Sequence, residues 1–262
     1  MAPWGRVFGG QVLAQALHAA HRTVVAERQA HSLHAYFLLP GDIHRPIVYQ
    51  VESMRDGGSF TTRRVVALQK GRPIFFMAAS FQTMQPGLEH QIEMPGVPAP
   101  DDLPTDSELA ERLKSKLPEV YKFYLADRPI EFRPVDHEDF LNQDSKPPYR
   151  HVWLRAKGAL PHDARLHQEI LAYASDYNLL GTATLPHRHE VPIHKMFMAS
   201  LDHAMYFHRA VRADEWLLYS IDSPSASSGR GFTRGNLFNQ SGELVASVVQ
   251  EGLMREAKPH TR

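Results

Sequence analysis

Apolar residues between Gly10 and Val24 recur at helical spacing, with Val12, Ala16, Leu17, Ala20 and Val24 on one stripe. The spacing predicts a helix there. Beyond it the pattern changes to short runs rich in β-branched and aromatic residues. These predict strands over His34 to Leu39, Pro46 to Met54, Phe60 to Gln69 and Ile74 to Gln82. Pro40-Gly41-Asp42, Asp56-Gly57-Gly58 and Lys70-Gly71 separate the runs. Gly, Pro and Asp supply the backbone angles and local hydrogen bonds that turns require.

The same order returns in the second half. Asp163 is placed to cap a helix that runs through Leu166, Ile170 and Ala174 toward Gly181. Strands are predicted over Met196 to Phe207, Trp216 to Ser223, Gly231 to Asn239 and Leu244 to Gln250, with a hairpin turn at Gln240-Ser241-Gly242. A helix followed by an antiparallel run of strands, given twice, predicts an α+β fold built from a duplicated unit rather than a βαβ array. The units are expected at residues 1–85 and 126–262. A proline-rich connector, 86–125, lies between them. In it Thr105-Asp106-Ser107-Glu108 fits a capping box opening a short helix through Leu113 and Leu117. Pro129 to Val135 and Tyr149 to Lys157 read as opening strands of the second unit. The first unit shows no counterpart before its helix, so its sheet is expected to be short an edge strand.

Composition narrows the function classes. The 262 residues carry 29 basic and 29 acidic side chains, so the formal net charge is zero. A dedicated nucleic-acid binder needs a basic surplus, and none is present. Cysteine is absent, which excludes disulfides, a thiolate nucleophile and Cys-ligated zinc. No apolar run approaches the roughly 18 residues of a membrane span. The final residues His260-Thr261-Arg262 differ from a Ser-Lys-Leu peroxisomal address, and a cytoplasmic location is expected. There is no G-x-S-x-G elbow, Walker A sequence, dinucleotide fingerprint or H-E-x-x-H motif. His187, His189 and His194 crowd together, but in a proline-flanked loop that reads as solvated. No metal and no cofactor are expected.

Three polar residues of the second half stand out. Asp176 sits late in the predicted helix, where an acid opposes the helix dipole at about 0.3–1 kcal/mol. That suggests a use, but only weakly, and on the sequence alone an exposed helix-end acid is the plainer reading. Ser200 lies in the Met196 to Phe207 strand. Alternation puts it on one face with Asp202 and Ala204, opposite Leu201 and His203. A cross-strand hydrogen-bonding serine is the plain alternative. Gln250 ends a strand that is apolar on both faces, where an unsatisfied amide costs about 1–3 kcal/mol. Otherwise it reaches solvent at the strand end. Together, a carboxylate, a hydroxyl and an amide can hold one water: the carboxylate takes a proton and the other two fix its lone pairs.

Several blocks, in order, carry a resemblance over nearly the whole chain. They include Arg6-Val7-Phe8-Gly9-Gly10-Gln11, His31-Ser32-Leu33-His34-Ala35-Tyr36-Phe37, Arg55-Asp56-Gly57-Gly58-Ser59-Phe60 and Ala79-Ser80-Phe81-Gln82. The second half adds Ala174-Ser175-Asp176, Leu201-Asp202-His203, Trp216-Leu217-Leu218-Tyr219 and Val249-Gln250-Glu251-Gly252. At these residues the sequence resembles the acyl-CoA thioesterase II (TesB-like) family. The resemblance implies a double hotdog fold, hydrolysis of acyl-CoA and a homo-oligomer. It implies a catalytic trio of Asp176, Ser200 and Gln250, with Ser200 standing where the family more often has Thr. A backbone N–H near Gly9 and Gly10 is a candidate oxyanion donor, and Arg230 and Arg234 are candidate phosphate contacts. Two other readings stay open: a hotdog hydratase or dehydratase with His34 as base, and a non-catalytic acyl-CoA-binding module.

Overall fold

The computed structural model describes residues 5–114, 128–136, 144–191 and 195–257, and the structural statements below concern these. The first apolar stripe forms helix α1 (Gly9–His21), with Val12, Leu13, Ala16, Leu17 and Ala20 buried along it. Four strands follow: β1 (Gln29–Phe37), β2 (Val48–Asp56), β3 (Phe60–Gln69) and β4 (Arg72–Gln82). β1 begins ahead of the expected His34, because Gln29 to Leu33 pair with Gln82 to Ala79 of β4. The polar residues Gln29, His31 and Ser32 mask that pairing in the sequence.

Helix α2 (Asp106–Leu113) opens on the expected capping box, with Glu108 N–H donating to Thr105 Oγ1 at 3.2 Å and Thr105 N–H donating to Glu108 Oε2 at 2.7 Å. Leu117, its expected end, lies outside the described residues. The second half comprises β5 (Ile130–Pro134), β6 (Tyr149–Ala156), helices α3 (Ala164–Ser175) and α4 (Leu179–Ala183), then β7 (Met196–Ser200), β8 (Asp202–Phe207), β9 (Leu217–Ser227), β10 (Arg230–Asn239) and β11 (Leu244–Glu256).

Two expectations need correcting. The helix expected to reach Gly181 stops at Ser175, with Asp176 as its C-cap. Asn178 takes the left-handed conformation at φ 66°, which its short polar side chain tolerates, and the chain restarts as α4. The strand expected over Met196 to Phe207 is broken at Leu201 into β7 and β8. Both halves of it pair with β11, β8 against Ala246 to Val249 and β7 against Gly252 to Glu256. Leu201 fills the gap, donating its N–H to Glu251 O at 2.9 Å.

The strands form one antiparallel sheet in the order β2-β3-β4-β1-β8-β11-β10-β9-β6-β5, with β7 branching from β11. The order β2-β3-β4-β1 is repeated, mirrored, by β8-β11-β10-β9. β1 and β8 join the two, from Ser32 opposite Tyr206 to Tyr36 opposite Asp202. β6 and β5 continue past β9, and among the described residues nothing continues past β2. Helices α1 and α3 run antiparallel in contact: Gly10 meets Asp176, while His21 meets Glu169 and Arg165. The sheet wraps both helices, and their apolar faces share one core with Leu33, Val65, Met77, Phe81, Met205 and Val248. This is a double hotdog.

The chain after β4 crosses the other side of the second-half sheet. Trp153 Nε1 donates to Pro98 O at 2.9 Å, and Met94 and Val97 cover Trp153, Trp216, Leu218 and Phe238.

Candidate active site

Helix α1 begins Phe8-Gly9-Gly10 with no side-chain cap of its own. Its first N–H groups need acceptors. Asp176 supplies one from the other half: Gly10 N–H donates to Asp176 Oδ2 at 2.8 Å. Asp176 therefore closes α3 at its unfavourable end but places its charge at the positive end of α1. The dipole cost expected from the sequence is offset by the neighbouring helix, and the side chain is buried at 6% exposure rather than solvated. Gly9 makes room for it. A Cβ there would stand 2.7 Å from Asp176 Oδ2 and 3.1 Å from the Phe37 ring.

Gln250 comes to the same carboxylate from β11. Its Nε2 donates to Asp176 Oδ1 at 2.8 Å and to His203 Nδ1 at 3.1 Å. A carboxylate oxygen demands a donor, which fixes the amide with nitrogen toward Asp176. Both amide hydrogens are then committed. Oε1 is left buried with no protein partner. The side chain is 1% exposed, so it does not reach solvent as the alternative reading had it.

Ser200 lies at the end of β7, opposite Gly252 of β11. A Cβ on Gly252 would run into the Leu180 side chain of α4, so this face of the pair looks toward the helices. Gln250, two residues earlier on β11, is on the same face. Ser200 is therefore a near neighbour of Gln250 on the inner surface, but it enters none of the hydrogen bonds that join Asp176, Gln250 and Gly10. The structure thus joins Asp176 and Gln250 by a hydrogen bond and sets Ser200 on the same face of the β7–β11 pair with no hydrogen bond to either.

His203 was not among the sequence candidates. Alternation set it opposite Ser200, but the interruption at Leu201 shifts the phase, and both face inward. His203 is fully buried. Its Nε2 lies 3.0 Å from Ser175 Oγ, which itself donates to Ala172 O at 2.9 Å. Its Nδ1 lies 4.0 Å from Asp176 Oδ1. Burial holds the imidazole down to about 4 against the opposing pull of Asp176, so the ring is neutral. The available signal was a histidine in an inward row otherwise filled by Met205 and Phe207. Tyr219 supports the same turn, donating its hydroxyl to Ser175 O at 2.9 Å, and burial pushes its phenol up.

Other candidates fall elsewhere. His34 alternates with buried Leu33 and Ala35, is exposed, and packs edge-on against Tyr206 on the outer sheet face, away from the helices. Arg230 pairs with Glu251 at 2.9 Å, and Arg234 pairs with Asp222. His189 is bonded to Ser145, and His194 lies outside the described residues. Among the described residues no group of His, Asp and Glu is arranged to hold a metal, and no helix is long and apolar enough to cross a membrane. An open apolar groove of about 390 Å³ runs between α1, α3 and β5–β6, past Ala14, Leu160, Ile170 and Tyr173. Tyr173 lies one helical turn before Asp176.

Residues 121–253 match the acyl-CoA thioesterase family, and residues 1–82 match the acyl-CoA thioesterase N-terminal domain. The chain is 42% identical to acyl-coenzyme A thioesterase 8 of Homo sapiens, across 97% of this chain and 82% of that protein. It is 39% identical to acyl-CoA thioesterase 2 of Haemophilus influenzae, across 95% of this chain and 88% of that one. Among solved structures, acyl-CoA thioesterase II TesB2 from Mycobacterium marinum superposes at a TM-score of 0.81 with 46% identity, covering 98% of this chain and 92% of its own. A hot dog fold protein from Alicyclobacillus acidocaldarius, 21% identical with a TM-score of 0.76, shares the fold. With both halves matched and the blocks around Asp176 and Gln250 in place, the chain belongs to the acyl-CoA thioesterase II (TesB-like) family.

Proposed function

We propose that this thioester hydrolase cleaves acyl-CoA to a free fatty acid and coenzyme A with a water activated by Asp176 and held by Gln250 and Ser200. The observation that carries the reading is the buried Asp176 carboxylate, braced by Gly10 N–H and Gln250 Nε2, beside an amide oxygen with no partner. Each carboxylate oxygen keeps a second lone pair. The water gives one hydrogen to Asp176 and the other to Gln250 Oε1. Ser200 donates to one water lone pair, and the other attacks the thioester carbonyl. This revises the expected role of Gln250: with both N–H groups engaged, it accepts from the water instead of donating. The tetrahedral intermediate collapses by breaking the C–S bond, and the proton held by Asp176 passes to the departing thiolate. Gly10 N–H is committed to the carboxylate, which leaves Gly9 of the two expected oxyanion donors. The apolar groove beginning near Tyr173 suits the acyl chain. Homo-oligomeric assembly and a cytoplasmic setting belong to the same proposal and rest on the family resemblance and composition.

Release of free thiol from acyl-CoA tests the reading. Asp176→Asn is expected to cut kcat by about 10²–10⁴-fold, the range of a lost general base, with the thermal midpoint little changed. Wild-type turnover in that variant overturns it.

A further inference from the structure

We infer that His203 is a positioning residue for Gln250: its bare Nδ1 takes the second amide hydrogen and leaves Oε1 as the free atom of that amide, an acceptor for the attacking water. This deepens the reading above and rests on it. A primary amide held by one acceptor alone can swing about that bond and present either hydrogen. The bond to Asp176 Oδ1 at 2.8 Å therefore sets which end of Gln250 faces the carboxylate but not the plane of the amide. The second bond, to His203 Nδ1 at 3.1 Å, sets the plane.

The tautomer of His203 follows from its other side. Ser175 Oγ donates to Ala172 O at 2.9 Å, so toward the ring it can only accept, and Nε2, 3.0 Å away, carries the hydrogen. Nδ1 is then bare. The opposite tautomer would aim an Nδ1–H at an amide N–H, two donors in a fully buried site, and is excluded. Hydrogen-bond direction thus runs from the Gln250 amide, on one side to Asp176 and on the other back to a carbonyl of α3. Gln250 donates to His203, His203 donates to Ser175, and Ser175 donates to Ala172. Burial keeps the ring uncharged, and the charged group facing it is Asp176, 4.0 Å away. His203 touches neither water nor substrate in this scheme and acts through Gln250 alone.

Thiol release from acyl-CoA by purified full-length variants tests the inference. His203→Phe keeps a ring and removes both nitrogens. It should lower kcat at least tenfold and leave KM within about twofold. His203→Asn, whose amide oxygen stands near the position of Nδ1, should recover most of that loss, whereas His203→Gln should not. In a Gln250→Ala background His203→Phe should have no further effect on kcat, since a residue acting through another is silent once the other is gone. Multiplying losses in the double variant, or an unchanged kcat in His203→Phe, would overturn the inference. Asp176→Asn is assayed alongside. If it stays active, the base reading itself is wrong; if it is dead while His203→Phe is active, only the role of His203 is wrong. Should the His203 variants not fold, ¹⁵N resonances of the wild-type imidazole decide. A protonated Nε2 with a bare Nδ1 at neutral pH is expected, and the reverse tautomer or a charged ring refutes the assignment.

Discussion

Gly9 is packed directly against the proposed general base. It is the first residue of α1 and has no positive φ, so the backbone itself would accept alanine. The obstacle is the Asp176 carboxylate, 2.7 Å from where the methyl would stand, with the Phe37 ring at 3.1 Å behind it. The carboxylate has to give way, and its bonds to Gly10 and Gln250 go with it. Gly9→Ala is therefore expected to lower kcat by at least about tenfold, or 1.4 kcal/mol in the barrier. Circular dichroism should show the helix content intact. A Gly9→Ala enzyme with full turnover would mean that the carboxylate position is not critical. Asp176, Ser200 and Gln250 were legible as residue types that can hold water, and their blocks singled them out. Their partners were not legible. Nothing local tells that Asp176 caps a helix 166 residues away, or that His203 lies behind Gln250.

At the level of elements, legibility tracked how local the cause is. The α2 capping box lies within four consecutive residues and was read from them. β3 coincides with its expected span, because turn residues bracket it on both sides. The two breaks that build the site were missed for a common reason. The stop at Asp176 and the interruption at Leu201 are imposed by contacts with α1 and β11, and local spacing continues through both. A third long-range device sits at the opposite end of the helix pair. Arg165 reaches the C-terminal end of α1, donating to His21 O at 2.9 Å, Val24 O at 3.2 Å, Arg28 O at 3.1 Å and also to Val25 O. It satisfies carbonyls that a helix end and its following turn leave open, and its charge suits the negative end of the dipole. Arg165→Met keeps the stem and removes these donors. It should destabilise the protein by about 2–3 kcal/mol in urea unfolding, since hydrogen bonds from a charged group contribute about 1.5–3 kcal/mol and the several bonds share one guanidinium. Turnover per folded molecule should persist, because Asp176 stands at the other end of α3. Loss of activity in folded Arg165→Met would show that the two ends of the helix pair are coupled.

Across the whole molecule the wrapped sheet buries several histidines in neutral form, and this sets a pH dependence distinct from that of the reaction. His31, His151, His167 and His203, all buried or half-buried, are held below the ordinary value of 6.5, in each case chiefly by burial. Arg212 adds to the effect at His167, where Asp214 and Asp163 oppose it, while Asp136 opposes it at His151 and Asp176 at His203. In the unfolded chain these rings take up protons near 6.5; in the folded chain they resist until lower pH. The unfolded state therefore binds more protons below that value, and stability falls as pH falls. The stabilisation from neutral burial is complete above about 6.5. It is lost progressively beneath it, and for His203 the loss is complete only below about 4. Asp106 and Asp202 are pushed up by burial and oppose the trend, but only in the carboxylate range. Between about pH 7.5 and 5 the histidines decide the sign. Urea unfolding at fixed protein concentration should show the midpoint dropping steadily through this interval with an unchanged slope, each uncompensated proton changing the unfolding equilibrium roughly tenfold per pH unit. A midpoint that stays flat to pH 5 would mean that the rings are charged inside the fold, and with them the neutral His203 on which the orientation of Gln250 depends.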